Sequence, residues 1–344
     1  MSNDAQTPQT QPDKDDETHL GKQRWDEPQA PPKWAAGEPL AVRSDKPPII
    51  PFSPIDVGQL VDGTVKAVLT NAKVMFTISL VTMAVLGLIA AAFSLATGGS
   101  VETSLDGTGA TFKVEDASGW AAALEFLVDL IPPLASVLVA GALVLTVTNA
   151  VIGRKLTLSE TLNLLKSRAW KLLGTAVLTG IVVFGAAAIL LLGYSVVERV
   201  LPDNFLLTIL MLLYILAVPA VILWLSVRLY FPTMVAVVEE TSPVLALKRS
   251  WQLTSGSFWR IFGRLLLLFA AMGTATGILS GVVGLIGGSI PGAFGASLTV
   301  FLVSLISELM MPFSASYDSL MYVDARMRAE DLGPVLESDW KANR

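Results

Sequence analysis

Charged side chains are missing from five long stretches of the chain: Val74 to Ala96, Leu130 to Ile152, Leu172 to Val197, Asn204 to Val227 and Leu265 to Ser307. A bilayer core about 30 Å thick takes roughly 20 residues of α-helix to cross, at about 1.5 Å per residue. Each of the first four stretches fits one crossing. The fifth is too long for one, and Gly287-Gly288-Ser289-Ile290-Pro291-Gly292 supplies a turn inside it. The pattern therefore predicts six transmembrane helices, the last running from about Ala293 to Tyr317.

The stretches just before the odd-numbered spans carry a second pattern. Ser53-Pro54 offers a helix start ahead of Val57, Val61, Val65 and Leu69, which recur at every fourth position. Thr157 with Glu160 has the spacing of a capping box, followed by Leu162, Leu165 and Ala169 on one face. Ser242-Pro243 repeats the serine–proline start, with Val244, Leu247 and Trp251 sharing a face and Lys248, Arg249 and Gln252 set to one side. Helices so divided lie in a membrane interface, apolar face down and basic face toward headgroups. The expected fold class is all-α: a polytopic membrane protein of six transmembrane helices with three cytoplasmic interfacial amphipathic helices, arranged as a threefold repeat.

Charge gives this arrangement a direction. With the gaps after spans one, three and five taken as outer loops, those loops hold only Lys113 and Arg199 of the 24 Lys and Arg residues. Positive charge is retained on the cytoplasmic side, which predicts an inner-membrane, multi-pass protein with both termini in the cytoplasm. Composition agrees: 53% of residues are hydrophobic, 15% are charged and mean hydropathy is positive, outside the range of soluble domains. The net charge of −5 arises from acid in the tails and first outer loop, while the membrane-proximal inner surface is basic and suits anionic headgroups. Residues 1–47, polar and proline-rich with His19, Trp25 and Trp34, read as a disordered cytoplasmic tail. Residues 48–328 form the membrane domain, and 329–344 a cytoplasmic carboxy-terminal tail.

Candidate chemistry is sparse. The chain has no cysteine, which excludes thiol catalysis and disulfides, and its one histidine lies in the polar tail. No catalytic, cofactor or metal set is expected, and no nucleic-acid motif is present. Lys248, Arg249, Trp251, Trp259, Arg260 and Arg264 form the densest basic and aromatic cluster, a candidate contact for a lipid headgroup or a membrane-protein partner. Glu308 is a carboxylate inside a span, with Ser304 and Ser307 nearby and Pro312 one turn on, where its ring clashes with the Glu308 carbonyl and kinks the helix. Glu125 and Asp129, one turn apart, read as a solvated outer helix face. Gly273, Gly277, Gly281 and Gly284 read as a packing stripe between helices.

Three segments in order carry a family resemblance: Pro48-Ile49-Ile50-Pro51 leading to Asp56 through Gly63; Glu240 through Trp251, with Gly256 through Arg260 after it; and Met311-Pro312-Phe313 with Leu320 through Arg328. Together they resemble the bacterial glycerophosphoryl diester phosphodiesterase membrane domain family, over about Pro48 to Leu332. The family takes its name from proteins that fuse this region to a soluble catalytic barrel requiring histidines and metal-binding carboxylates. What the resemblance implies here is the membrane module without phosphodiesterase activity, linked to glycerolipid or envelope biology. The expected function is a non-enzymatic membrane scaffold or accessory subunit for envelope or lipid homeostasis. The rival is a transporter of a lipid or small amphiphile using Glu308 and Pro312, and an intramembrane enzyme ranks third.

Overall fold

The computed structural model describes residues 48–97, 100–103, 110–113, 130–200, 205–290 and 293–343, with Gly119, Ala123 and Leu127. The amino-terminal tail expected over 1–47, and the pair Glu125 and Asp129, lie outside these residues. In chain order come α1 (Val57–Thr97), a two-stranded antiparallel hairpin of β1 (Ser100–Thr103) and β2 (Ala110–Lys113), and α2 (Ile131–Val151). Next are α3 (Leu158–Val200), α4 (Phe205–Arg228), the short α5 (Pro232–Val238) and α6 (Pro243–Ser255). The last three are α7 (Phe258–Gly288), α8 (Ala293–Glu330) and α9 (Gly333–Ala342). The expected helical architecture is present, and the small hairpin is an addition that the hydropathy pattern did not signal.

Five segments are long and apolar enough to cross a membrane: Val57–Leu86, Ile131–Val151, Leu158–Val196, Thr208–Val238 and Phe258–Gly287. The chain is an integral, polytopic membrane protein. The segment expected as a sixth crossing is the first part of α8 and is not among those five. As expected, the helix ends at Gly288 and the next begins at Ala293, on either side of the glycine-rich turn.

The helix starts are built as local chemistry dictates. The Thr157 amide donates to Glu160 Oε2 at 2.7 Å and the Glu160 amide to Thr157 Oγ1 at 3.3 Å, a reciprocal capping box at the head of α3. A second box opens α1, but its cap is Asp56 rather than the Ser53-Pro54 pair: Asp56 Oδ1 accepts from the Gln59 amide at 2.7 Å and Gln59 Oε1 from the Asp56 amide at 3.0 Å. At α6, Ser242 is the N-cap and Pro243 follows it as expected, without a capping bond from the serine hydroxyl. Gly153, at φ +80°, closes α2: its amide bonds Ala150 O and the Arg154 amide bonds Asn149 O, the paired bonds of a Schellman motif.

The three pre-span helices are not three copies of one design. Asn71, at φ −118° and ψ 18°, separates about the first four turns of α1 from the rest of that helix, and the break at Gly256 and Ser257 separates α6 from α7. The third, α3, runs unbroken for 43 residues, about 64 Å at 1.5 Å per residue. An unbroken helix cannot turn from the interface into the span, so α3 departs from the expected repeat.

α2 is the hub. It packs against α1, α3, α5 and α8, and every residue from Gly141 to Val151 is buried, so a helix that is apolar all round finds neighbours on all sides. α1 and α8 run antiparallel beside it, with Gly63 close to Leu320 and the Phe76 and Phe313 rings 6.4 Å apart. The packed core gathers at one end of the bundle, where Ile55, Leu60, Leu143, Phe231, Tyr322 and Leu336 are all fully buried. At the opposite end α3, α4 and α7 stand with little cover. Beyond Thr175 no described side chain of α3 is buried, and on α4 none is buried before Val227.

α9 corrects the reading of 329–344 as a tail. Leu336 is fully buried, the Trp340 ring lies 5.9 Å from Phe52, and the Asn343 side-chain Nδ2 donates to Ile152 O at 3.3 Å. Gly333 meets the Phe52 carbonyl so closely that a Cβ has no space there. The carboxy-terminal helix is thus part of the packed end.

Candidate functional site

The packed end is also the charged end, and its charges are organised into three buried groups. In the first, Asp324 of α8 is 1% exposed and accepts from the Ile55 amide at 2.8 Å, from Arg264 of α7, and from Arg328 one turn on at 2.9 Å. Both guanidinium groups also donate to Ile55 O, at 2.7 and 2.8 Å. One residue of the amino-terminal segment is therefore held at both its N–H and its C=O by α7 and α8 together.

The second group is a closed ring of alternating sign. Glu239 lies 3.4 Å from Arg249 Nε and 3.5 Å from Arg326 Nε; Arg249 also pairs with Glu330, which accepts from Arg326 at 2.9 Å. Tyr322 donates to Glu239 at 2.6 Å, and burial pushes that hydroxyl up, so it stays a donor. In the third, Arg168 of α3 donates to Val237 O at 2.7 Å and pairs with Glu240 at 2.7 Å, while Lys171 reaches Glu240 O. Glu240 sits at φ 56°, a left-handed conformation unfavourable for a non-glycine residue, and these two cations hold it there.

These groups divide the basic cluster expected from the sequence. Arg249 and Arg264 are 8% and 5% exposed and are consumed by Glu239, Glu330 and Asp324, so they are not headgroup contacts at the surface. The reason is helical phase: Ala246, Arg249, Ser250 and Leu253 share the face of α6 that enters the core. Lys248, Trp251, Trp259 and Arg260 remain exposed, with Trp259 78% so.

The apolar stripe read on α1 is at the surface as well, whereas those read on α3 and α6 are only partly so: Leu162, Val244 and Trp251 are exposed, Ala169 and Leu247 are half-buried, and Leu165 packs against the core. On α1 the core takes Leu60, Thr64, Ala67, Val68 and Asn71, leaving Val57, Val61, Val65 and Leu69 exposed. On α3 Leu158, Leu162 and Trp170 are exposed, and on α6 Val244, Leu245 and Trp251. Each pre-span helix thus has one side in the core and apolar side chains that remain exposed among the described residues.

Glu308 is half-buried on α8, and its Oε2 has no hydrogen-bond partner; the hydroxyls of Ser79 and Ser316 are likewise buried and unpartnered. Ser307 bonds back to Val303 O rather than to Glu308. Pro312 is buried, and α8 continues as helix through it, so the proline does not interrupt the element. Gly273, Gly277, Gly281 and Gly284 do not pack another helix: a Cβ at any of them meets nothing within 4 Å. Among the described residues no three His, Cys, Asp or Glu side chains group closely enough for a metal ion.

Sequence reading missed Asp324, Glu239, Arg326 and Glu330, which organise the end of the bundle. The signal was in the Leu320-to-Arg328 segment, where charges at alternate positions interrupt an otherwise apolar helix.

The membrane domain of glycerophosphoryl diester phosphodiesterase, as a family, matches residues 200–343 of this chain. That range runs from α4 to α9 and takes in the second and third of the three resembling segments but not the first. The structure ties the unmatched first segment to the matched region through Ile55 and Asp324. No curated protein and no solved structure matches the chain.

Proposed function

We propose that the protein is a non-enzymatic scaffold or accessory subunit of the inner membrane, supporting envelope or lipid homeostasis from a six-span domain whose charged end faces the cytoplasm. The sixth span is the first part of α8. The observation that carries the reading is the split of the basic cluster. Arg249 and Arg264 are neutralised inside the body, while Lys248, Arg260, Trp251 and Trp259 stay at the surface near exposed apolar side chains of α1, α3 and α6. A rigid body with that rim suits the inner-leaflet interface, with apolar stripes among the acyl chains and basic groups at anionic headgroups or an acidic membrane partner.

A photocrosslinking residue placed at Trp251 or Trp259 in the native membrane tests this. The reading expects capture of a specific protein or an enriched anionic lipid. Capture no different from that at Leu213, on the exposed apolar end, overturns it.

One observation favours a transporter instead: the unpartnered Oε2 of Glu308 within the bundle. Glu308→Gln leaves a scaffold's phenotype intact and impairs a carrier that moves protons or a polar substrate through that position.

A further inference from the structure

The half-buried Arg228 is held differently from the ion-paired arginines at this end. It is the last residue of α4, and its carbonyl accepts from Ser250 Oγ at 2.9 Å and Thr254 Oγ1 at 3.3 Å, which fixes the backbone against α6. Its guanidinium carbon lies 5.5 Å from the Trp224 ring, 5.4 Å from Trp251 and 5.8 Å from Phe258, so three rings from α4, α6 and α7 surround it. The two indoles meet edge to face at 5.3 Å and 88°. Each is 40% exposed, so the frame opens to the surface.

Inside this frame Nε and Nη1 are buried and donate to nothing. Arg168, Arg249, Arg264, Arg326 and Arg328 each have a carboxylate partner; Arg228 has none among the described residues. Cation–π attraction and the negative end of the α4 dipole explain why a charge is tolerated here, but neither satisfies its donors. The remaining nitrogen, Nη2, is not one of these buried donors, and the frame around it opens to the surface through the two partly exposed indoles. A weakly hydrated planar cation in an aromatic frame, with Lys248 and Arg260 exposed on the neighbouring helices, is matched to a phosphate oxygen at the membrane surface.

We infer that Arg228, framed by Trp224, Trp251 and Phe258, is a binding site for the phosphate of an anionic phospholipid in the leaflet facing the charged end. The acyl chains of that lipid lie along the exposed indole faces. This inference rests on the lipid-surface reading above, and it names the residue that holds the headgroup.

The test is native mass spectrometry of the full-length protein released from nanodiscs of phosphatidylcholine containing one-fifth phosphatidylglycerol. Wild type should retain phosphatidylglycerol, Arg228→Gln should retain roughly tenfold less, the scale of one charge-assisted hydrogen bond, and Arg228→Lys an intermediate amount. Trp224→Leu, which opens the frame but keeps the cation, should also lower retention. Millimolar inorganic phosphate should leave retention unchanged; displacement by phosphate alone overturns the lipid assignment in favour of a free phosphate site. Equal retention by wild type and Arg228→Gln, with both melting as folded protein, overturns the site. The crosslinking experiment separates the two readings: capture at Trp259 no different from that at Leu213, with Arg228-dependent retention intact, removes the broader scaffold proposal and leaves this one standing.

Discussion

The two ends of this bundle are built from the same helices by opposite rules. At the charged end, α2, α5 and α8 bury side chains on several faces, α9 buries Leu336, and most ionised groups are locked in pairs; at the other, α3, α4 and α7 expose leucine, isoleucine and phenylalanine along most of their length. In water the second arrangement is untenable, because the uncovered apolar surface far exceeds what a soluble protein exposes. In hydrocarbon it costs little. The first arrangement carries the specificity of the fold, since lipid cannot substitute for a carboxylate facing a buried guanidinium.

The largest effect should follow from removing the anion shared by Arg264, Arg328 and Ile55. Asp324→Asn leaves two guanidinium groups facing each other without a counter-charge, and thermal melting in detergent should show a loss of about 3–5 kcal/mol or failure to accumulate. A melting temperature unchanged from wild type would show that the junction does not hold the amino-terminal segment to α7 and α8.

A matched pair of leucines sharpens the contrast. Leu143 is fully buried at the α2 hub, whereas Leu213 is exposed on α4. Leu143→Ala should cost about 2–5 kcal/mol, and Leu213→Ala should stay within about 0.5 kcal/mol, as surface changes do. Equal losses in the same detergent would mean that the far end is packed as tightly as the charged end.

The smallest effect is at the head of α3. The Thr157 amide, and after it the Thr157 hydroxyl, hold the Glu160 carboxyl below its ordinary range. A depressed folded value means that this support is complete above the ordinary carboxylate value and fades as pH falls through the lowered one. Amide exchange in the first turn of α3 should therefore quicken in acid, and Glu160→Gln should abolish that pH step. Because the carboxyl is largely exposed, global stability should hardly move.

Hydropathy revealed spans because lipid imposes one simple demand, some twenty uncharged residues in helical form, and α2 and α4 sit where that demand placed them. Helix caps were legible where the bonding is local, as at Thr157 and Glu160. Burial at the charged end was not legible, because Arg249 and Lys248 are adjacent and equally basic. Only the phase of α6 against α8 sends one to Glu330 and the other outward. The glycine stripe of α7 failed for the same reason, since spacing alone names a face without saying whether anything meets it.

The claim on which the rest depends is that the charged, packed end lies on the cytoplasmic side. The chain has no cysteine, so each introduced thiol is a unique label. Ser338→Cys on α9 and Ser104→Cys between the strands β1 and β2 should be compared with a membrane-impermeant maleimide on intact cells. Labelling at position 104 alone, with position 338 reacting only after permeabilisation, is the predicted result; labelling at 338 on intact cells contradicts it.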